Sequence, residues 1–221
     1  MEAVPVRSPV MAPFPSEQTT LVLHGLRVKG FAETDVLAEV LGLDDVTVVR
    51  ALERFSTDGL VTRKEGLEVS GWVLTPAGRT EHEKQLAAEL DTSGARPVVE
   101  AAYAAFGELN PELLALCTDW QLRDGAMNDH TDAAHDRAVL DRLAALHVRA
   151  RPVVAPLGEA LARFAGYGPR LTKAAEKVAR GDHDWIDKPL MDSYHTVWFE
   201  LHEDLLATLG LERSAETGGE R

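Results

Sequence analysis

Two short segments of this sequence repeat one spacing of carboxylate and imidazole. Asp132 is followed three residues later by His135, and Asp192 is followed three residues later by His195. Residues three apart on a helix lie on one face, so each pair can direct an oxygen and a nitrogen ligand at one point. Carboxylate and histidine pairs on facing helices hold metal ions inside helical bundles. The four residues are therefore candidate ligands of one divalent metal ion.

Helix geometry limits which other histidines can belong to such a site. His202 lies seven residues after His195, which is about 10.5 Å along a helix, so we expect it to orient a neighbour rather than to ligate the same ion. His130 can meet His135 only if it lies in a turn before the helix. Two other roles remain open for the Asp and His pairs. Each aspartate can cap a helix start within a structural network, or the pairs can contact a small molecule.

Aromatic residues accompany both pairs, in the segments CTDWQLR and DSYHTVWFELHED. A stripe of His135, Val139, Arg142 and Leu146 places polar and apolar groups on one helix face. Buried polar groups need partners, so we expect a polar network or a pocket between helices. The candidate ligand-binding residues are Trp120, Asp132, His135, Tyr194, His195, Trp198 and His202.

The elements that would position these residues are helices. Residues 93–212 have a helical pattern almost throughout, with breaks predicted at Asn110-Pro111, near Pro152 and in the glycine-rich segment 166–169. This pattern predicts an all-helical effector and dimerisation domain of five or six helices.

Residues 19–92 have a different pattern, which predicts three helices and a two-stranded wing. The first two helices are expected to end at Gly30 and Gly42. The third is expected to start from Asp44 or Asp45 and to stop at Gly59, with apolar residues at positions 46, 49, 52 and 55. Two strand-like runs follow around a glycine-containing turn. The predicted fold is mainly α, with flexible tails at residues 1–18 and 213–221.

The segments VTVVRALERFSTDGLV and VLTPAGR make residues 19–92 resemble winged helix-turn-helix transcriptional regulators of the MarR-like kind. The resemblance implies a recognition helix at residues 44–56 that enters the major groove of double-stranded DNA. It implies DNA contacts by Thr47, Arg50, Arg54, Arg63 and Lys64. Residues 46–64 carry four basic and two acidic side chains. Asp44 and Asp45 would repel phosphates at the groove-facing end of this helix unless they cap it.

Composition limits the functions available to the whole chain. Its 221 residues carry a formal net charge of −13, which argues against non-specific binding of polyanions by the whole surface. Its single cysteine, Cys117, excludes an intrachain disulfide and a multi-thiolate zinc site. No apolar run is long enough to span a bilayer, so we expect a cytoplasmic protein without a membrane partner.

These patterns predict a homodimeric transcriptional regulator rather than an enzyme. The winged helix would bind DNA, and the helical domain would sense a small-molecule effector or a metal ion. The alternative is a metal-dependent hydrolase or lyase whose winged helix is a docking module. A third hypothesis is an adaptor that contacts only proteins.

Overall fold

The computed structural model describes residues 12–66 and 70–211. Residues 1–11 and 213–221 of the predicted tails lie outside the described residues, as do residue 212 and residues 67–69 between the two predicted strands. The described part of the first tail is held in place. The Phe14 N–H donates to the Ala160 carbonyl (3.0 Å), and the Phe14 carbonyl accepts from the Ala162 N–H (3.0 Å). This pairing fixes the segment before the first helix to the C-terminal half of the chain.

Three helices and a hairpin make up the first unit of the chain. They are α1 (Gln18–Lys29), α2 (Thr34–Leu41), α3 (Asp45–Thr57), β1 (Val61–Glu65) and β2 (Ser70–Leu74). The two strands pair antiparallel, and Ala32 forms an additional bridge to Trp72 on the outer side of β2. Gly30 and Gly42, which have positive φ, end α1 and α2 as predicted. The predicted strand pair is therefore present, and the first unit has its own apolar core, which includes Leu23, Leu37 and Phe55.

The predicted apolar stripe of α3 is partly wrong. Leu52 and Phe55 are buried, but Val48 and Ala51 complete the buried face in place of Val46 and Val49. Spacings of three and four residues follow the 3.6-residue helical repeat, whereas repeated steps of three drift off the face. Val46 and Val49 consequently lie exposed, at 58% and 40% of their surface.

The segment VLTPAGR joins the hairpin to α4 (Pro76–Ser93). Thr75 caps the helix by accepting from the Gly78 N–H (3.0 Å), and its hydroxyl donates to the Gly59 carbonyl (2.7 Å). Pro76 suits the first helical turn because a backbone N–H at that position would have no acceptor within the helix. A Cβ at Gly78 would lie 1.9 Å from the carbonyl oxygen of Leu60. Only glycine therefore allows this close approach of the helix start to the hairpin.

Beyond α4 the chain forms four long helices. They are α5 (Arg96–Gln121), α6 (Ala133–Ala160), α7 (Tyr167–Ala179) and α8 (Tyr194–Leu209), with two-residue strands β3 (Leu122–Arg123) and β4 (Ala126–Met127) between α5 and α6. Short 3-10 segments, Ala162–Gly166 and His183–Trp185, precede and follow α7. The described residues thus contain four α-helices here, not the five or six predicted.

The difference in helix number comes from prolines that do not interrupt helices. Pro111 lies inside α5, and Pro152 and Pro156 lie inside α6. All three are exposed. A proline removes the N–H that the carbonyl four residues earlier would accept from. On an exposed face water can bond to that carbonyl, so the helix continues.

Helix α8 joins the two parts of the molecule. It packs against α5 and α7 within the helical bundle and also against α1 and α4. Nearly every residue from Val197 to Thr208 is buried, including three acidic ones, Glu200, Glu203 and Asp204. No helix in the described residues is both long enough and apolar enough to cross a membrane.

Candidate functional site

The structure uses the first predicted Asp and His pair to start α6. Asp132 is the N-cap and accepts from the backbone N–H groups of Ala134 (3.0 Å) and His135 (3.1 Å). These bonds, which lower its pKa, stabilise the helix start. His135 Nε2 lies 2.9 Å from the Asp119 carbonyl, which can only accept, so Nε2 carries the proton. Both residues therefore have local structural roles.

The second pair also has local partners. Asp192 accepts two hydrogen bonds from Arg170, and His195 lies half-buried in the first turn of α8. In the part of the chain that the structure describes, no group of three or more His, Cys, Asp or Glu side chains could hold a metal ion. The predicted four-ligand site of Asp132, His135, Asp192 and His195 is therefore not assembled. Shared spacing placed each pair on one face but did not determine which helices face each other.

Residues 127–136, MNDHTDAAHD, run from the last residue of β4 through the turn before α6 into the first residues of that helix, and their polar groups bond to one another. Asn128 Nδ2 donates to the Trp120 carbonyl (3.0 Å) and to Asp136 Oδ1 (3.1 Å). His130 lies in the turn with φ of 57°, and its Nδ1 is 3.1 Å from Asp136 Oδ2. Its ring packs on Trp120, with centroids 4.4 Å apart. His130 thus pairs with Asp136, and it does not converge with His135 on a ligand.

The predicted aromatic ligand contacts lie in the core of the bundle. Tyr194 and Trp198 are buried, and Trp198 stacks on Phe106 (4.4 Å) while its Nε1 donates to Asn110 Oδ1 (3.0 Å). The His202 ring also lies against Phe106, at 4.9 Å. These contacts show a satisfied core rather than the walls of an open pocket.

A cleft of about 900 Å³ lies elsewhere, between the first unit and the bundle. Helices α1 and α2 form one wall, and residues 162–170, residues 190–192 and the middle of α8 form the other. Its floor is charged and includes Lys29, Arg170 and Glu200, whereas its rim includes the exposed apolar residues Val36, Val40 and Leu190. Of the site residues predicted from the sequence, only Asp192 lines this cleft.

A buried ionic network closes the deep end of the cleft. The guanidinium of Arg163, only 3% exposed, pairs with Asp204 and with Glu89 Oε2 (3.0 Å), and it donates to Thr208 Oγ1 (2.7 Å). The hydroxyl of Tyr167 donates to Asp204 Oδ2 (3.1 Å). Burial acts to raise the pKa of Asp204, but the charge of Arg163 and the contacts with His24 and Tyr167 together outweigh burial and hold the pKa below its usual value. Asp204 is therefore an ionised carboxylate inside the protein.

Two histidines, His24 on α1 and His82 on α4, extend this network. His24 Nε2 lies 3.0 Å from Asp204 Oδ2, and His24 Nδ1 lies 3.1 Å from His82 Nε2. Burial first, and the neighbouring His24 second, lower the pKa of His82 to about 3. The neutral form fits its surroundings, because His82 Nδ1 is buried without a hydrogen-bond partner in the described residues. A lone pair there costs less than an unpaired N–H of a charged ring.

Further ion pairs fasten α1 to α8 along the cleft. Arg27 Nη1 lies 2.5 Å from Glu203 Oε2, and Lys29 Nζ lies 2.6 Å from Glu200 Oε1. Arg170 Nη2 donates to the other oxygen of Glu200 (2.7 Å). The sequence contains a signal for this arrangement. Positions 200, 203 and 204 share one face of an otherwise apolar helix, which indicates buried acids that need basic partners.

The predicted DNA contacts lie on α3 and β1, which do not line the cleft. Arg50 and Arg54 are exposed on α3, and Lys64 is exposed on β1. Arg63, also on β1, donates from Nη2 to Ser70 Oγ (3.1 Å) across the hairpin. Thr47 is half-buried in the first turn of α3.

Asp44 caps α3, as one of the two alternatives predicted. Its carboxylate accepts from the Thr47 N–H (2.9 Å) and the Thr47 hydroxyl (2.6 Å), and the hydroxyl bond chiefly lowers its pKa.

Burial raises the pKa of the Cys117 thiol to about 12. The thiolate needed for nucleophilic attack is therefore disfavoured.

Comparisons with protein-family models, with curated proteins and with solved structures found no match to this chain.

Proposed function

We propose that this protein is a DNA-binding transcriptional regulator. Residues 19–92 would act as a winged helix-turn-helix, and the bundle would sense a small molecule at the cleft. The observation that carries the proposal is the exposed face of α3, with Arg50 and Arg54, next to a hairpin that presents Arg63 and Lys64. A helix with two exposed arginines beside a hairpin with one arginine and one lysine fits the shape of a DNA groove and the charge of its flanking phosphates.

The exposed face of α3 has chemistry suited to base edges. Arg50 can bond bidentately to guanine, and the exposed methyl groups of Val46 and Val49 can pack on thymine methyls. The capping bonds from Thr47 hold the Asp44 carboxylate at the positive end of the helix dipole, which partly offsets its negative charge towards DNA. Within the described residues Arg50 makes no ion pair, so its charge is available to DNA.

The hairpin supports the role of a wing. The bridge from Ala32 to Trp72 pairs the second edge of β2, and Trp72 Nε1 donates to Thr34 Oγ1 (3.2 Å) at the start of α2. The hairpin is thereby fixed relative to the helices. Arg63 and Lys64 would then meet the DNA backbone at a constant distance from α3.

Two copies are needed for such a protein to bind a long operator. One helix contacts only a few base pairs, and regulators of this kind gain affinity by placing two helices about one DNA turn apart. With a net charge of −13, we expect binding that weakens steeply as salt rises. We propose a homodimer in which the bundle sets the spacing of the two α3 helices.

A selection from a random-sequence DNA library at low salt, followed by fluorescence anisotropy on the selected duplex, tests the proposal. Arg50→Ala is expected to weaken binding by about fivefold or more, since one bidentate contact contributes about 1–3 kcal/mol. Arg180→Ala is the matched control, because Arg180 is an exposed arginine at the C-terminal end of α7, outside the proposed winged helix. Failure to select any sequence, or equal affinity of Arg50→Ala and wild type for the selected duplex, would refute the proposal.

A further inference from the structure

In the cleft, the carboxylate of Asp192 occupies the guanidinium of Arg170. Arg170 donates from Nε to Asp192 Oδ2 (2.9 Å) and from Nη2 to Asp192 Oδ1 (2.8 Å). This is the two-bond geometry with which a guanidinium binds a free carboxylate. We infer that Arg170 anchors a binding site for a small carboxylic acid and that Asp192 occupies this site when no ligand is bound.

The two carboxylates on Arg170 differ in how firmly they are held. Glu200 is 6% exposed and is bonded by both Arg170 (2.7 Å) and Lys29 (2.6 Å). Asp192 is 40% exposed, and its side-chain hydrogen bonds in the described residues come from Arg170 alone. Asp192 can therefore turn into water at a modest cost, whereas Glu200 cannot.

The backbone around Asp192 permits such a movement. Ile186 and Ser193 are buried and hold the two ends of the segment between them. Leu190, inside the segment, has φ of 63° and a fully exposed side chain. A non-glycine residue in this conformation stores strain that a rearranged segment can release. For a ligand to replace Asp192 on Arg170, only residues 187–192 need to move.

Charge favours an anion in the vacated position. With Asp192 turned away, Lys29 and Arg170 would share the single carboxylate of Glu200, which leaves one positive charge at the cleft floor. An ammonium ligand would add to this surplus, and a neutral ligand would not relieve it. A carboxylate restores both bonds to Arg170 in the geometry that Asp192 already shows.

The rim of the cleft specifies the rest of the ligand. Val36 and Val40 on α2 are 40% and 49% exposed and lie across the cleft from Leu190. An acid with a short apolar body would cover these side chains and remove apolar surface from water. The class of ligand is therefore a small amphipathic monocarboxylate, with hexanoate as a suitable probe.

This site supplies the class of ligand for the proposed sensing role, and it rests on the proposed function only for its connection to DNA binding. Calorimetric titration of the full chain with hexanoate, in the absence of DNA, tests the site directly. We expect hexanoate to bind, and hexanol and hexylamine not to bind at the same concentration. Loss of DNA binding would leave this result intact, and loss of hexanoate binding would leave the DNA experiment intact.

Two variants test the exchange with Asp192. If Asp192 leaves Arg170 in about one molecule in ten, removing its charge with Asp192→Asn raises the apparent affinity for hexanoate by about tenfold. Arg170→Lys keeps the charge beside Glu200 but loses the two-bond geometry, and it should weaken binding by a similar factor. Asp91→Asn is the control, since this exposed aspartate pairs with Arg96 outside both the cleft and residues 187–192.

The result that overturns the inference is equally specific. It fails if hexanoate binds neither wild type nor Asp192→Asn, or if Asp192→Asn binds hexanoate no more tightly than wild type. Inorganic phosphate or hexylamine that binds as well as hexanoate would also overturn the assignment to carboxylic acids. Circular dichroism and the Tm of each variant establish that the compared proteins are folded.

Discussion

The buried pair of His24 and His82 makes the stability of this protein sensitive to mild acid. His82 is fully buried, and burial lowers its pKa to about 3, against 6.5 in the unfolded chain. A histidine whose folded pKa is lowered stabilises the fold above its unfolded pKa. That stability is lost as the pH falls from 6.5 towards 3, because the unfolded chain takes up a proton that the folded protein excludes.

The size of the effect follows from the two pKa values. Below pH 6.5 each pH unit costs about 1.4 kcal/mol for one excluded proton. Lowering the pH from 7 to 5 should therefore remove about 2 kcal/mol of the free energy of unfolding through His82. The surroundings explain why the proton is excluded. Arg163 and Arg27 both act to lower the pKa of His82, and Asp204, which acts to raise it, is already paired with Arg163 and His24.

Urea denaturation at pH 7 and at pH 5 measures this effect in the wild type and in His82→Gln. His82→Gln will be less stable than wild type at both pH values, since it changes a fully buried side chain. The quantity to compare is the free energy of unfolding that each protein loses between pH 7 and pH 5. We expect that loss to be about 2 kcal/mol smaller in His82→Gln than in wild type. His183→Gln, at a partly exposed position, should keep the wild-type loss.

The refuting result is an equal loss of stability in wild type and His82→Gln between pH 7 and 5. A second measurement, NMR titration of the histidine ring protons, locates the effect. The His82 resonances should show no midpoint between pH 7 and 5. A midpoint for His82 in that range would show that the buried ring accepts a proton without the cost derived above.

Three further predictions concern stability at pH 7, measured by urea denaturation. Asp132→Ala should lose about 1 kcal/mol by removing the cap of α6, and Asp132→Asn should restore most of it. Gly78→Ala should lose about 2 kcal/mol or more, because its Cβ would meet the Leu60 carbonyl at 1.9 Å, and an unchanged Tm would contradict this. Arg163→Ala should lose about 3–5 kcal/mol by leaving buried carboxylates unpaired, whereas Arg149→Ala, in an exposed pair, should change stability by less than about 1 kcal/mol.

Local features of the fold could be predicted from the sequence because their causes are local. Gly30 and Gly42 end helices since they adopt positive φ, and Asp44 starts α3 through bonds to a residue three positions away. The strand pair was predictable from two β-rich runs around a turn. Helix number was not, because proline tolerance depends on which face of the helix meets solvent. That face is decided by packing and not by the proline itself.

The candidate site was missed because its partners are distant in sequence. Arg27 and Glu203 are 176 positions apart, and Arg163 and Glu89 are 74 apart. Spacing within one helix can indicate a buried acid, as at Asp204, but it does not name the base that faces it. The same limit explains the unassembled metal site. Asp132 has the residue type of a ligand, but at a helix start the backbone N–H groups are nearer and bind it first.

The ionic character of the contact between α1 and α8 determines how the cleft and α3 can be coupled. Buried ion pairs add little net stability compared with apolar packing, but they permit few alternative registers, since any slip leaves charges unpaired. Glu200 connects the contact between α1 and α8 to the cleft, because it binds both Lys29 of α1 and Arg170 of the cleft. An exchange at Arg170 therefore alters the charge balance of the residue that holds α1. Because α1 packs directly against α3, a new register of α1 would reorient α3, which is the helix proposed to bind DNA.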